Sequence, residues 1–125
     1  MKTLNASAVK VLSALLEKRH LKTDNPAKTI HTKVIYDFGR YRFITLTVLR
    51  NDEGFESREP EVTIFHDTLT DEYIPASICN DYAHINSSSA SVVYGQLQVM
   101  NDKIQADHTE YAHRLLESIA EQYNI

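Results

Sequence analysis

The sequence predicts an α+β fold, a five- to six-stranded antiparallel sheet with one helix from each end of the chain on one of its faces. Three observations carry this. Apolar residues recur at helical spacing near both ends, they alternate with polar residues through the middle, and turn signals separate the alternating runs. At 125 residues the chain suits one domain over 1–125, since two would each be too small to bury a core.

The first helix is predicted over about Asn5 to Arg19. Leu4, Ala8, Val11, Leu12, Leu15 and Leu16 recur at three- and four-residue steps and stack on one face. Thr3 or Asn5 can cap its start, and Lys18, Arg19 and His20 suit the negative end of its dipole. Asp24-Asn25-Pro26 ends it. From Thr29 the period falls to two. Ile30, Thr32, Val34, Tyr36 and Phe38 alternate with His31, Lys33, Ile35 and Asp37, and Gly39-Arg40 turns the chain. In the returning strand, Tyr41 to Leu49, the trio Ile44, Leu46 and Val48 is predicted to face the helices. The Thr45 and Thr47 face is then at least half open to water. Asn51-Asp52-Glu53-Gly54 reads as a turn, Val62–His66 as a third strand, and a fourth lies between Glu72 and Ile78. Asn80 to Ser91 lacks a period and reads as a loop. Val92–Met100 reads as a further strand, joined through Asn101-Asp102 to Lys103–Ala106. The second helix is predicted from an Asp107 cap with Glu110 completing a capping box and Ala106–Tyr111 as a staple. Tyr111, Leu115, Ile119 and Tyr123 line its inner face, joined by Leu116 and Ala120.

The net charge of −4 conceals a segregation. Residues 1–50 hold ten Lys/Arg against three acids, residues 51–72 hold eight acids against Arg58 alone, and residues 73–125 hold six acids against Lys103 and Arg114. A general nucleic-acid binder is usually net basic, so this balance argues against one. No apolar run approaches the ~20 residues of a membrane span, which argues against a membrane partner. The start of the chain lacks the apolar segment of a signal peptide, and Cys79 is the only cysteine. Both favour the reducing cytoplasm.

Catalytic and metal patterns are weak, and no cofactor or metal is expected. None of the six histidines forms a His-X-His or His-X-X-X-His pair; His108 and His113 lie more than about 100° apart on a helix. His66-Asp67 and Asp81-X-X-His84 supply mixed ligands only if separate elements converge. Cys79, beside Asn80 and Asp81, has no neighbouring cation to lower its pKa. The serines at 87–91 lack the glycine elbow that exposes a nucleophile, and three isolated glycines make no phosphate loop. One local feature remains. Tyr36-Asp37-Phe38-Gly39-Arg40-Tyr41-Arg42-Phe43 interleaves aromatics with two arginines, a pattern used in cross-strand packing, protein contacts and single-stranded nucleic-acid binding.

The segment over residues 46–82 carries three short motifs: Glu59-Pro60-Glu61-Val62-Thr63-Ile64-Phe65, then Tyr73-Ile74-Pro75-Ala76-Ser77, then Asp81-Tyr82. It resembles a family of small proteins of unknown function encoded on plasmids, prophages and other mobile elements. Glu59 stands where that family typically has Asp, and the helix at each end is a departure. The resemblance implies an accessory protein of a mobile element and transfers no catalytic residue. Independently of it, Pro60 and Pro75 suit a strand start or an edge, where proline costs no ladder bond.

These readings favour a non-enzymatic binding protein that modulates or inhibits a host protein, such as a component of a defence system. Its expected contact residues are Glu53, Glu56 and Glu59 in the acidic turn and Arg40, Tyr41 and Arg42 in the hairpin. The alternative is a single-stranded nucleic-acid-binding module built on the Arg/Tyr hairpin, and the third is a hydrolase built from scattered His and Asp.

Overall fold

The computed structural model describes residues 1–37 and 39–125; Phe38, part of the predicted Arg/Tyr hairpin, lies outside the described residues. Helix α1 spans Ala6–Lys18, and Asn5 caps it by accepting the Ala8 N–H at 2.8 Å. Six strands follow as an antiparallel meander in sequence order: β1 His20–Lys22, β2 Lys28–Asp37, β3 Tyr41–Asp52, β4 Phe55–Asp67, β5 Glu72–Asn80 and β6 Ile85–Ser88. A separate hairpin, β7 Ala90–Val93 with β8 Gln96–Val99, precedes helix α2, Asp102–Tyr123.

The predicted architecture holds. Leu4, Ala8, Leu12 and Leu15 from the α1 side and Ala112, Leu116 and Ile119 from α2 share one core with Ile30, Ile44, Leu46, Val62, Ile64, Tyr73 and Ile78. Both helices therefore cover the same sheet face. Of α2's expected inner stripe Leu116 and Ile119 are buried, Leu115 and Tyr123 are half-buried and Tyr111 is exposed; Ala112 is buried in its place.

Four expectations are corrected. The face carrying Thr45 and Thr47 is not open: both residues are buried, and Tyr41, Phe65, Ile74, Ala76 and Ala90 form a second core there, with Val92, Leu97 and Val99 packed against it. The β7–β8 hairpin is thus a lid on that side, and the single strand expected over Val92–Met100 is really its two arms. Tyr94 and Gly95 make its turn with φ of 50° and 75°, the paired positive values of a two-residue hairpin. The expected loop over Asn80–Ser91 contains β6, the edge strand beside β5. Finally, Asn101 caps α2 by accepting the Ile104 N–H at 2.9 Å, so Lys103–Ala106 is helix rather than strand. Proline placement also differs in detail. Pro60 sits inside β4 where the pairing with β3 shifts between Thr47/Glu61 and Leu49/Arg58, and Pro75 lies beyond the reach of β6.

Thr45 Oγ1 is buried without a hydrogen-bond partner among the described residues. A buried hydroxyl left unpaired costs free energy that a methyl group of the same shape does not. Thr45→Val is expected to raise the unfolding free energy by about 1 kcal/mol in urea denaturation.

Candidate functional site

The β3–β4 hairpin outgrows its neighbours. β2 accompanies β3 only as far as Lys28 opposite Arg50, and β5 leaves β4 at Cys79 opposite Glu61. Asn51 N–H still donates to Ala27 O at 2.7 Å, and beyond it the end of the hairpin, residues 52–57, has no strand pairing on either side. Its tip is a two-residue turn between Asp52 and Phe55, in which Glu53 and Gly54 take φ of 52° and 88°. Glycine carries the second of these at no steric cost. Asn51 Oδ1 accepts the Gly54 N–H at 3.3 Å and closes the turn.

Phe55 is 81% exposed at this tip. It lies opposite Asp52, whereas Glu56 lies opposite Asn51, so the aromatic ring and the Glu56 carboxylate belong to opposite faces of the ribbon. Glu53 and Glu56 are exposed, and no cation stands within 4 Å of either among the described residues. The base of the hairpin is braced instead. Arg50 Nε donates to Asp52 at 2.8 Å, its Nη1 reaches Glu59 at 3.4 Å, and its guanidinium lies 4.9 Å from the ring centre of exposed Tyr82. Lys28 adds a second cation to Glu59 at 3.8 Å. Glu59 is therefore committed inside the fold, and only Glu53 and Glu56 of the predicted acidic trio are unpaired.

The Arg/Tyr pattern is dispersed in three dimensions. Arg40 forms a two-point pair with buried Asp67, through Nε to Oδ1 at 2.9 Å and Nη2 to Oδ2 at 2.8 Å. That guanidinium, helped by the Leu69 N–H, holds the Asp67 carboxyl well below the usual carboxylate range. Arg40 O also accepts from Thr68, so the turn after β2 is tied to the turn after β4. Tyr41 is buried in the second core. Arg42 is on the helix-facing side, where its Nη1 donates to His66 Nδ1 at 3.4 Å. The Arg40 guanidinium lies 5.3 Å from the ring centre of Tyr41, but Arg42 is on the opposite face and the three form no single surface, whereas Tyr36, Phe43 and Phe65 form a packed aromatic row with centroids 5.6 and 4.7 Å apart.

Two histidine clusters escape sequence reasoning because a turn or a distant strand brings their partners together. His66 stacks on Tyr73 with centroids 4.0 Å apart, and its Nε2–H donates to Asp71 at 2.7 Å. With Nδ1 accepting from Arg42, neither ring nitrogen is left to move a proton for a substrate. His108 bridges α2 to the strands. Ser87 Oγ–H donates to Nε2 at 2.9 Å, Nδ1–H donates to Ser89 Oγ at 2.8 Å, and Ser89 Oγ–H donates to Ala76 O at 3.2 Å. The order resembles a nucleophile, a base and an orienting group, but the third member is a neutral hydroxyl. An imidazolium formed there would be buried without the carboxylate that stabilises it in a Ser-His-Asp site. The cluster fastens α2. Burial lowers the His108 pKa, so the folded state holds the neutral ring while the unfolded chain titrates near 6.5. Burial lowers His31 in the same sense. A lowered histidine makes stability complete above the unfolded pKa and drains it as pH falls. Denaturation midpoints are therefore expected to be flat from pH 8 to 7 and to decline below about 6.5, before most carboxylates titrate. His108→Gln should flatten that decline.

Cys79 is a half-buried free thiol. Burial pushes its thiol up, which outweighs the lowering influence of Arg58, and Asp81 adds to the rise. His20 and His31 face each other across β1 and β2 with Nδ1 atoms 3.3 Å apart. Among the described residues no group of three or more His, Cys, Asp or Glu side chains is placed to hold a metal ion. No helix there is long and apolar enough to cross a membrane. Comparison with family models, curated proteins and solved structures gives no match to this chain.

Proposed function

We propose that this chain is a non-enzymatic binding protein that inserts the free-standing tip of its β3–β4 hairpin into a basic groove of a protein partner and thereby blocks it. The observation that carries this reading is Phe55, a large aromatic side chain exposed between two unpaired glutamates on a braced hairpin. Binding hot spots combine an aromatic anchor with surrounding polar contacts, and a pre-ordered hairpin loses little entropy on docking. The unpaired carboxylates favour a cationic partner and speed its encounter. The resemblance to mobile-element proteins makes a host protein of the cytoplasm, such as a defence component, the partner class.

The nucleic-acid reading gains no support from the geometry, because Arg40 is held by Asp67, Tyr41 is buried and Arg42 faces the helices. The test is parallel affinity capture from host lysate with the wild type, Phe55→Ser and Glu53→Lys/Glu56→Lys. A basic protein retained by the wild type and released by both variants supports the proposal. A partner retained equally by all three overturns it.

A further inference from the structure

The turn between β1 and β2 returns the chain so that His20 stands directly opposite His31. Directly opposed residues of an antiparallel pair project from the same face with their side chains in reach of each other. Ile30 enters the core beneath the helices, so His31 and Thr29 belong to the other face. There the two imidazoles meet at 65° with their Nδ1 atoms 3.3 Å apart. His31 Nε2–H donates to Thr29 Oγ1 at 2.8 Å, which fixes the ring and leaves its Nδ1 as a lone pair turned toward His20. Both rings open on a cavity of about 460 Å³ that Pro26, Leu49 and Glu56 also line.

A hydrogen bond between the rings explains this approach poorly. It requires the proton on His20 Nδ1, and at 3.3 Å it is longer than the usual span of N–H bonds, about 2.7–3.2 Å. Two nitrogens that each stand about 2.0–2.1 Å from a tetrahedral ion lie about 3.3 Å apart, which is the spacing of this pair. The hydrogen bond from His31 to Thr29 is of the kind that orients a ligating imidazole and holds its tautomer. The Glu56 carboxylate has no cation within 4 Å among the described residues, so the cavity keeps a negative charge on its wall.

We infer that His20 and His31 bind a divalent transition-metal ion of the zinc type through their Nδ1 atoms. Imidazole suits such ions, whereas magnesium and calcium prefer oxygen ligands. No third His, Cys, Asp or Glu is placed to join the pair among the described residues, so the remaining positions open into the cavity and take water. Binding shifts the His20 proton from Nδ1 to Nε2, at an exposed position, and releases none. Glu56 stays outside the coordination shell and acts through its charge. The ion staples β1, only three residues long, to β2. The site uses neither Phe55 nor Glu53, and its titration needs no partner, so its failure leaves the hairpin proposal untouched.

The experiment titrates zinc chloride into the ¹⁵N-labelled full chain at neutral pH and constant ionic strength, reading the imidazole nitrogens by long-range ¹H–¹⁵N correlation. Saturable shifts are expected at Nδ1 of His20 and His31, with Nε2 of both protonated, while exposed His84 serves as the internal control and stays unmoved. Magnesium chloride should move neither ring. His20→Ala, at an exposed position, should keep the fold and weaken zinc binding about tenfold or more, as loss of even an orienting partner can. Glu56→Gln should weaken it about two- to fivefold, the weight of an exposed charge interaction. Shifts that do not saturate, coordination through Nε2, equal shifts at His84, or an unchanged affinity in His20→Ala would overturn the assignment.

Discussion

Leu116→Ala is expected to lower the unfolding free energy by about 2–5 kcal/mol, with Leu12→Ala in the same range. Both side chains are fully buried, one from each helix, in the core that joins the helices to the sheet. Truncation removes apolar contacts and leaves a cavity that surrounding strands close only in part. The size of the loss depends on how far the site collapses. Here the sheet below is buried on its other face too, so it has little freedom to move inward. Urea denaturation gives the values directly; variants melting within a degree or two of the wild type would refute the helix placement. Tyr111→Ala offers the internal control. It removes a larger side chain from the same helix, but at a position exposed to solvent, and should cost far less.

The second large effect concerns binding. Phe55→Ser is expected to weaken the partner complex by about thirtyfold or more, corresponding to a hot-spot loss of at least ~2 kcal/mol. Glu53→Lys/Glu56→Lys should lower the association rate by about ten- to a hundredfold at low salt and reverse the sign of its salt dependence. Neither change should alter the melting transition appreciably, because these side chains are exposed and unpaired. Surface plasmon resonance at two ionic strengths, together with thermal melts, distinguishes the outcomes. An association rate unchanged by charge reversal would remove the acidic tip from the interface. The converse variant, Arg40→Glu/Arg42→Glu, is not a clean probe of nucleic-acid binding. It sets a carboxylate against buried Asp67 and so destabilises the fold before any ligand is considered.

Much of the fold was legible because local pattern and tertiary burial agree. The α1 stripe and the alternation through β2 and β3 report the face that meets the helices, and the turn at Asn51–Gly54 is announced by composition. Legibility failed where polar side chains are buried. Gln105 Nε2 donates to Lys2 O and Pro75 O, and His108 and Thr109 are likewise buried with partners. These residues interrupt the apolar period of α2, so its first turn and a half reads as strand. The serines of β6 and the following bend look like loop for a similar reason: Ser87 and Ser89 point to His108, a partner that composition cannot supply. Thr45 and Thr47 suggest a wet face, yet a distant hairpin covers them. At the candidate site, Glu53 and Glu56 could be read from charge alone, but Phe55 could not be separated from a core aromatic without knowing that the hairpin outruns its neighbours. Glu59 and Arg40 were indistinguishable in sequence from unpaired charges, since Lys28, Arg50 and Asp67 lie well away in the chain.

The sequential order of the meander has a consequence for synthesis. Each strand from β2 to β6 pairs with its predecessor, so the sheet can assemble as it leaves the ribosome. Helix α2 emerges only afterwards, and until it does, the sheet surface around Ile78 and Tyr73 is shielded by α1 alone. At about 5–20 residues per second, the stretch from Ala90 to Tyr123 leaves that surface open for several seconds. Nascent chains meeting one another on a crowded polysome during that interval can bury the bare surface against each other instead. Slow codons placed within α2 would lengthen the exposure and lower the yield of native protein without changing a single residue.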